Sequence, residues 1–252
     1  MLDRASAAAC ATAPSPLAER LGAYASLSEA EQAALEQLQG DPLRLEKDAE
    51  LCREGEPSTT LFVLVSGAVL ASHLLPEGAR QILRIHHPGD LMNASCLGWA
   101  RTAASLDAAL PSVVRPVERE AFGALFRTQP RLAALCHGVS VADSVSLCDR
   151  LASIGRTSAM ARAALLLLEL HARQHVGEAE PAPTLSLFLS QADIADATGM
   201  TKVHVNRVLR AMSEAGLIAR QRREVRLLDR QKLIDMCGYV DRLTHVSIDW
   251  LP

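Results

Sequence analysis

The sequence predicts an α+β protein in which a small β-barrel, a long helix and a winged helix-turn-helix follow one another along the chain. Three observations predict this order. Short strand-like runs separated by glycine turns fill residues 43–118, which is typical of a barrel or jelly roll. A long helical pattern follows over residues 131–152. Two short helices and a basic hairpin then occupy residues 190–228.

Composition limits the class of protein before any motif is considered. With 252 residues, of which 49% are hydrophobic, the chain can bury two cores or one large one. The formal net charge is −3, yet residues 190–226 carry a local charge of +3. A basic patch on an otherwise acidic protein favours a protein that binds a specific nucleic-acid site over one that coats nucleic acid without sequence preference.

The cysteines and the apolar segments indicate a reducing compartment without a membrane. No cysteine pair has CxxC spacing and no Cys/His group has zinc-finger spacing, so we expect reduced thiols and no bound metal. The apolar run at residues 163–168 is too short to cross a bilayer, and the N-terminus lacks the apolar core of a signal peptide. We therefore expect a cytoplasmic protein.

The N-terminal region is divided between a tail and a short helix. Residues 1–20 are predicted to be a disordered tail because the segment is rich in Ala, Ser and Pro. Ser28 then caps a helix that ends near Leu38, and Glu31 completes a capping box. The barrel domain is predicted to span residues 21–130.

Five strands of the barrel are predicted from runs of apolar and β-branched residues. They cover residues 43–51, 61–65, 68–74, 80–85 and 113–117. Ser66-Gly67 and Glu77-Gly78 are predicted to be hairpin turns between neighbouring strands. A short helix over residues 120–126 closes the domain.

The long helix, predicted as a dimerisation element over residues 131–154, has two apolar stripes. One has the 4-3-4-3-4 spacing of a coiled-coil seam and consists of Ala134, Gly138, Val141, Val145, Cys148 and Ala152. The neighbouring stripe consists of Leu132, Leu135, Val139 and Ala142. One stripe is expected to pack on the barrel and the other on a second copy of the chain; the alternative is a core helix of a monomer. Residues 153–156 are predicted to be a hinge.

A helix-turn-helix is predicted in the C-terminal part of the chain. Ser190 and Asp193 form the capping box of its first helix, and Gly199 supplies the turn. Thr201 caps the second helix, predicted over residues 201–215. The apolar face of that helix consists of Val205, Val208, Leu209 and Met212. Its polar residues are Lys202, His204, Asn206, Arg207 and Arg210.

Two strand-like runs around a basic turn follow over residues 219–228 and indicate a β-wing, whose arginines, Arg222 among them, would press against phosphates. A steeply crossed helix pair whose second helix carries Asn and Arg is typical of proteins that read the major groove of DNA. The alternative is an ordinary solvated amphipathic helix, and the wing favours DNA. The C-terminal domain is predicted to span residues 155–240, with a tail over residues 241–252.

Three motifs resemble the cyclic-AMP receptor protein/FNR (Crp/Fnr) family of bacterial transcription regulators. They lie in the helix-turn-helix at residues 189–195 and 203–209, in a barrel strand at residues 61–69, and in a turn at residues 87–90. The resemblance implies a cyclic-nucleotide-binding-like jelly roll as sensor, a homodimer built on the long helix, and a sequence-specific regulator rather than an enzyme. It also implies that the barrel controls the helix at 201–215 allosterically on a near-palindromic DNA site, with RNA polymerase as a further partner.

The resemblance assigns DNA contacts residue by residue. Arg207 matches the arginine that contacts guanine, for which bidentate hydrogen bonds to O6 and N7 are well suited. Gln191 and Thr201 match positions that often touch phosphate, and Asn206 could read adenine. Val203 stands where many relatives have Glu, so the residues on either side of it are candidates to replace that contact. The predicted DNA-binding residues are Gln191, Thr201, Lys202, His204, Asn206, Arg207, Arg210 and Arg222.

The effector is the least determined feature of the sequence. Ala94 stands where cyclic-nucleotide binders of the family have the ribose-binding Glu. Arg101 and Thr102 resemble the phosphate-binding motif, although the spacing is short, and they are the candidate effector-binding residues. A regulator that responds to a cyclic nucleotide is therefore kept as an alternative, and the effector is unknown.

No cofactor is predicted, although cyclic nucleotide and haem are left open. An iron–sulfur cluster needs several cysteines near the N-terminus, where only Cys10 lies. A histidine could ligate haem, but His73, His86 and His87 are expected to be ordinary surface residues on strands. A cupin-like metalloenzyme is a further alternative, for which the chain offers Glu77 and the adjacent histidines without a recurrent His-x-His pattern.

Overall fold

The computed structural model describes residues 15–242 together with residues 246 and 249. Helix α1 (Pro16–Gly22) begins just after the start of this range. Leu17 and Leu21 of α1 are buried in the apolar cluster formed with the barrel and the long helix. The prediction of a disordered tail over residues 1–20 is therefore wrong for residues 16–20, which are held by this burial. Its remaining part, residues 1–14, lies outside the described residues.

Helix α2 (Glu29–Leu38) begins at the predicted capping box. The backbone N–H of Ser28 donates to Glu31 Oε2 at 2.8 Å, and the N–H of Glu31 donates to Ser28 Oγ at 3.2 Å. Nη1 of Arg131, on the long helix, lies 2.7 Å from Glu31 Oε1. The box therefore also ties α2 to the long helix.

Two antiparallel four-stranded sheets form the jelly roll. Their strand orders are β1-β8-β3-β6 and β2-β7-β4-β5. The strands are β1 (Leu43–Leu45), β2 (Glu50–Cys52), β3 (Thr60–Ser66), β4 (Val69–Leu74), β5 (Arg80–His86), β6 (Leu91–Met92), β7 (Ser105–Ala108) and β8 (Ser112–Glu118). Two helices complete the domain, α3 (Cys96–Trp99) and α4 (Arg119–Thr128).

The strand pattern differs from the prediction in two ways. The strand predicted over residues 43–51 is two strands that join different sheets, and β6 and β7 were not predicted. Ser66-Gly67 is not a hairpin turn, because β3 pairs with β6 and β8 whereas β4 pairs with β5 and β7. The chain crosses from one sheet to the other there, and a Cβ on Gly67 would lie 2.2 Å from Ser112 Oγ. The Glu77-Gly78 turn does join a hairpin, that of β4 and β5.

The barrel is packed on the inside and on two outer faces. Its interior is filled by Phe62, Leu64, Val69, Ala71, Met92, Leu106 and Val114. Leu61 and Val63 point outward from β3 and pack with α1, α4 and the long helix. Leu70 and Ile82 point outward from the other sheet into the core of the C-terminal domain. The barrel thus lies between the long helix and the C-terminal domain.

The long helix α5 (Pro130–Arg156) is 27 residues long and extends beyond the predicted range of 131–154. The hinge predicted at residues 153–156 is wrong, since these residues are helical. The break comes at Thr157, whose backbone is extended. Ser158 then caps the next helix, since its side chain accepts from the N–H of Ala161 at 3.2 Å.

The C-terminal domain combines four helices with a three-stranded sheet of order β10-β11-β9. Its elements are α6 (Ala159–Gln174), β9 (Thr184–Ser186), α7 (Gln191–Thr198), α8 (Lys202–Glu214), β10 (Ile218–Gln221), β11 (Glu224–Leu227) and α9 (Arg230–Cys237). Strand β9 was not predicted; it pairs with β11 of the wing. Within the range that the structure describes, none of the helices is long and apolar enough to cross a membrane.

Candidate nucleic-acid interface

The turn between α7 and α8 is fixed by local hydrogen bonds. Ser190 accepts from the N–H of Asp193 at 3.1 Å and caps α7 as predicted. Gly199 ends α7 with a left-handed backbone at φ +63, a conformation that favours glycine. Thr201 then caps α8 by accepting from the N–H of His204 at 3.2 Å. Arg162 of α6, which sequence reasoning missed, donates to the Thr198 carbonyl at 3.0 Å and holds the turn.

Helix α8 has one buried face and one exposed face. Its buried residues are Val205, Val208, Leu209 and Met212, as predicted. Lys202, Val203 and Arg207 are exposed, and Val203 retains 82% of its accessible surface. Because residues four apart lie on the same side of a helix, Val203 and Arg207 share one surface. Among the described residues, Arg207 makes no hydrogen bond or ion pair, so its donors are available.

Two of the predicted DNA-binding residues bind each other. Nε2 of Gln191 donates to Oδ1 of Asn206 at 2.6 Å, and Nδ2 of Asn206 donates to Oε1 of Gln191 at 2.7 Å. This amide pair links the start of α7 to the exposed face of α8. Each amide keeps one N–H and part of its acceptor capacity, so the pair orients both side chains without using up their hydrogen bonds.

The remaining polar residues of α8 are less available. Nε of Arg210 pairs with Glu214 Oε1 at 2.7 Å, one helical turn away. His204 is half-buried. The side chains of Arg210 and His204 are therefore less free to contact a partner than those of Lys202 and Arg207.

The wing is a two-residue turn between β10 and β11. Gln221 pairs with Glu224, which leaves Arg222 and Arg223 at the tip. Arg222 has φ +53, a left-handed conformation that two-residue hairpin turns require. The exposed arginines of the wing are Arg220, Arg222, Arg223 and Arg226. They place a cluster of positive charge beside α8.

Two known domain families match this chain. Residues 42–129 match the cyclic nucleotide-binding domain, and residues 161–236 match the Crp-like helix-turn-helix domain. The nitrogen fixation regulation protein FixK of Azorhizobium caulinodans is 30% identical over 198 residues, which cover 77% of this chain and 78% of that protein. The chain belongs to the Crp/Fnr family. It is a DNA-binding transcription regulator of that family.

Other members of the Crp/Fnr family are similar to this chain over about four fifths of its length. FixK of Bradyrhizobium diazoefficiens is 28% identical over 204 residues, with 81% of this chain and 84% of that protein covered. The structure of FixK2 from Bradyrhizobium japonicum superposes with a TM-score of 0.71 at 27% identity, covering 80% of this chain and 98% of that one. The transcriptional activator protein Anr of Pseudomonas aeruginosa is 25% identical over 199 residues, which cover 79% of this chain and 80% of Anr.

The predicted effector residues of this Crp/Fnr regulator lie at the rim of the barrel. Nη1 of Arg101 donates to the carbonyl of Gly55 at 2.6 Å, and Arg101 is exposed. Thr102 is buried, and its backbone N–H donates to the Glu56 carbonyl at 3.0 Å. Arg101 is thus held by the loop before β3, and the barrel interior is occupied by the apolar side chains described above.

The prediction that His86 and His87 are surface residues is wrong. They are 4% and 5% exposed, at the end of β5 and in the turn after it. Burial lowers the pKa of both, to about 4 for His87, so both are neutral at neutral pH. Only His73 fits the prediction in part, since it is half-exposed and pairs with Glu54 at 2.8 Å. Glu77 lies in the hairpin at the opposite end of β5 from the two buried histidines, so the residues invoked for a metalloenzyme are not brought together.

A buried ionic cluster, which sequence reasoning missed, surrounds Asp90. Arg20 of α1 and Arg173 of α6 both donate to Oδ1 of Asp90, which is fully buried. Arg84 of β5 pairs with Asp143 of α5 and lies 3.8 Å from Asp90. We call Asp90, Arg20, Arg84, Asp143 and Arg173 the Asp90 cluster. Burial disfavours the carboxylate of Asp90, but Arg20, His86 and Arg84 outweigh that effect and hold its pKa well below the usual range.

A second ionic contact joins the barrel to the helix-turn-helix. Arg80 at the start of β5 donates to Asp193 and, at 2.8 Å, to Oδ2 of Asp196. Both carboxylates belong to α7, the first helix of the motif. The orientation of α7 is therefore set by the barrel as well as by its own domain.

Proposed function

We propose that this regulator binds DNA as a homodimer and that α8 of each protomer reads one half of a near-palindromic site. The observation that carries the proposal is the exposed face of α8, where Lys202, Val203 and Arg207 stand free of the fold. An unpaired guanidinium can donate to O6 and N7 of guanine in the major groove. The arginines of the wing supply charge for the neighbouring phosphates.

The exposed side of α5 supports the homodimer. Val141, Val145 and Leu151 are 47%, 38% and 72% exposed, and Cys148 is exposed as well. The other stripe, which contains Leu132, Leu135 and Val139, is buried against the barrel. A parallel second copy would cover the exposed seam, and the two α8 helices would then face successive major grooves. In the cytoplasm, we expect the bound dimer to act on RNA polymerase.

We infer that the barrel interior does not take a cyclic nucleotide, although the fold is that of a cyclic nucleotide-binding domain. Phe62, Leu64 and Met92 are buried in the space between the sheets, and Ala94 offers no carboxylate for a ribose hydroxyl. Thermal unfolding with and without cyclic AMP or cyclic GMP tests this inference. We expect no shift, and a saturable rise in melting temperature would contradict it.

Selection of DNA from a random pool tests the assignment of α8. The wild type is expected to enrich a near-palindrome whose half-sites are about one helical turn apart. Arg207→Ala is expected to lose the preference for guanine at one position of each half-site, a discrimination of about 1–3 kcal/mol. Arg127→Ala is the matched control, because Arg127 is an exposed arginine on α4 of the barrel and is not among the predicted DNA contacts. Equal enrichment by the wild type and Arg207→Ala would contradict the assignment.

Chemical cross-linking tests the dimer. In a parallel dimer the two Cys148 side chains face each other across the seam, so a short bis-maleimide is expected to join two chains. Cys148→Ser should abolish the product, and Leu151→Asp should lower it by weakening the interface. Sedimentation that shows a monomer on its specific DNA site would contradict the homodimer.

A further inference from the structure

Arg80 holds the first helix of the helix-turn-helix with one guanidinium group. It stands at the start of β5, and it donates to the carboxylates of Asp193 and Asp196, in the second case from Nε to Oδ2 at 2.8 Å. The side chains of Arg80, Asp193 and Asp196 are 31%, 18% and 27% exposed, so the contact lies at the edge of the interface between the domains. A planar guanidinium that binds two carboxylates restricts the direction of their helix more than a single ion pair would.

Helix α7 is attached to β5 at its other end as well. Nη1 of Arg150, on α5, donates to the carbonyl of Leu83 at 2.8 Å, and its Nη2 donates to the carbonyl of Ala197 at 3.3 Å. A cation at this end of α7 also suits the helix dipole. Ile82 of β5 and Ile194 of α7 belong to one buried apolar cluster. Helix α7 therefore lies along β5 with a polar contact at each end.

The contact of Arg80 connects two groups of elements. In the first group, the barrel and α5 share a buried apolar cluster that includes Leu61 and Leu132, so the barrel is fixed to the helix that carries the exposed seam. In the second group, α7 and α8 are joined by the amide pair of Gln191 and Asn206. Along the chain, the extended backbone at Thr157 separates the two groups. The position of α8 relative to the seam therefore depends on contacts between β5 and α7.

We propose that Arg80 is a positioning residue for DNA recognition: it holds α7 against the barrel and thereby sets the separation of the two α8 helices in the dimer. Arg80 itself does not touch DNA and acts through Asp193 and Asp196. The spacing of the half-sites in a two-fold DNA site mirrors the separation of the two reading helices. The positioning role rests on the proposed function, because this spacing has a meaning only for a dimer on a near-palindrome.

The test measures how strongly the protein rejects a wrong half-site spacing. One base pair inserted at the centre of the selected DNA site moves one half-site by about 3.4 Å and turns it by about 35°. The wild type is expected to bind the inserted site at least about tenfold more weakly than the original site. In Arg80→Met this insertion penalty is expected to fall to about threefold or less, because a released α7 lets α8 follow the displaced groove.

The affinity of Arg80→Met for the original site completes this measurement. It is expected to fall about fivefold, because α8 is no longer held in the correct position before binding. An unchanged insertion penalty in Arg80→Met would overturn the proposal. If binding weakened while the penalty stayed the same, Arg80 would act through its charge alone and would not be a positioning residue.

A control variant and a stability measurement separate positioning from a general structural role. Arg53→Met is the matched control, because Nη2 of Arg53 pairs with Oε1 of Glu50 at 3.0 Å within the barrel. It should keep the insertion penalty of the wild type. Partly exposed ion pairs contribute little to stability, so Arg80→Met is expected to melt within about 4 °C of the wild type. A lower melting temperature with an unchanged penalty would reduce Arg80 to a structural role and overturn the proposal.

Asp196→Asn tests the route through α7 with a smaller change. Asparagine keeps the shape of the side chain but loses the charge, so the insertion penalty is expected to fall by less than in Arg80→Met. When Asp196→Asn is added to Arg80→Met, the penalty should not change further, because both residues act on one contact. Additive effects of the two substitutions would overturn the route through α7. Asp193 is left intact because its carboxylate also accepts from the N–H of Ser190 and caps the helix.

Hydrogen exchange in the free protein distinguishes a failure of this proposal from a failure of the proposed function. Loss of the Arg80 contact is expected to speed amide exchange in α7 by about threefold or more and to leave β3 unchanged. Unchanged exchange in α7 would overturn the attachment by Arg80, whether or not the protein binds DNA. If exchange in α7 responded but the wild type selected no near-palindrome, the proposed function and the positioning role would fail, whereas the attachment of α7 to the barrel would stand.

Discussion

In the barrel, the carboxylate of Asp90 is buried and surrounded by guanidinium groups from α1, β5 and α6, whereas on α8 Lys202 and Arg207 extend into solvent. The two regions thus use charge for different purposes. In the Asp90 cluster, charge joins four segments that are far apart in sequence, namely α1, β5 with the turn after it, α5 and α6. On α8, apolar packing of the opposite face holds the helix, so its outward charges are available to a partner. The side chains that the fold does not require are the best candidates for recognition.

The largest effect is expected from breaking the Asp90 cluster. Asp90→Asn keeps the shape of the side chain but leaves three guanidinium groups facing a neutral amide. Removing one partner of a buried ionic group typically costs about 3–5 kcal/mol, and urea unfolding should show a loss of that size. Asp48→Asn, an exposed aspartate beside Lys47, is the control and should change the stability by less than about 0.5 kcal/mol. A loss below about 1 kcal/mol in Asp90→Asn would show that the cluster does not hold the fold together.

Leu64→Ala separates stability from recognition. Leu64 is completely buried inside the barrel, so its truncation is expected to cost about 3 kcal/mol in unfolding free energy. The folded fraction should bind DNA with unchanged affinity, because α8 is untouched. Leu74→Ala is the control on β4, where the side chain is 70% exposed. A DNA affinity that fell together with stability would show that the two regions are not separable.

The ionisation of Glu169 is expected to have an intermediate effect on the free energy of unfolding, and this effect depends on pH. Burial raises its pKa to about 7 despite the nearby Arg150. The native state therefore keeps a proton that the unfolded chain releases above its ordinary pKa of 4.5, so stability falls as pH rises from that value to about 7. Glu169→Gln removes this loss. Relative to the wild type, it should gain about 2 kcal/mol between pH 5 and 8, less than the full shift because 20% of the side chain is exposed.

Urea unfolding of the wild type and Glu169→Gln at the two pH values checks the prediction. Glu29→Gln, a change on the exposed surface of α2, is the control and should leave the pH profile unchanged. Parallel profiles for Glu169→Gln and the wild type would mean that Glu169 is ionised in the folded protein at neutral pH.

Val203 is expected to give the smallest effect, and only on DNA. An exposed apolar side chain in the first turn of α8 can contact the 5-methyl group of thymine. Replacing one thymine of the selected site by deoxyuridine should weaken binding by about 1 kcal/mol or less. Val203→Ala should show less of this sensitivity, with unchanged stability. If no thymine position responded in the wild type, Val203 would have no part in base recognition.

Features that depend on neighbours within one turn could be predicted from the sequence. The capping boxes at Ser28 and Ser190, the Gly199 turn and the buried face of α8 all follow from residues three or four positions apart. The polar residues of α8 were candidates for the same reason, since a polar stripe opposite an apolar one is a local pattern, whereas Gln191 and Thr201 were assigned by the resemblance to the family. The structure places most of them on one exposed surface but binds Gln191 to Asn206.

Features that depend on distant residues could not be predicted. The crossing at Gly67 looks like a hairpin turn until the partners of β3 and β4 are known. His86 and His87 look like polar residues of a turn, and they are buried because two domains pack around them. Asp90 is 70 positions from Arg20 and 83 positions from Arg173 in the sequence. The periodicity of apolar residues is a local pattern and does not indicate contacts between such distant positions.

The sequence by itself determined the order of barrel, long helix and winged helix-turn-helix, and the residues that face outward on α8. These properties are local, because a backbone hydrogen bond or an apolar stripe involves residues within a few positions of one another. Only the tertiary structure decided that the barrel interior is packed with apolar side chains, and that a buried ionic cluster and a cavity lie between the domains. Burial and charge balance belong to groups brought together from distant segments, and they arise only when those segments pack.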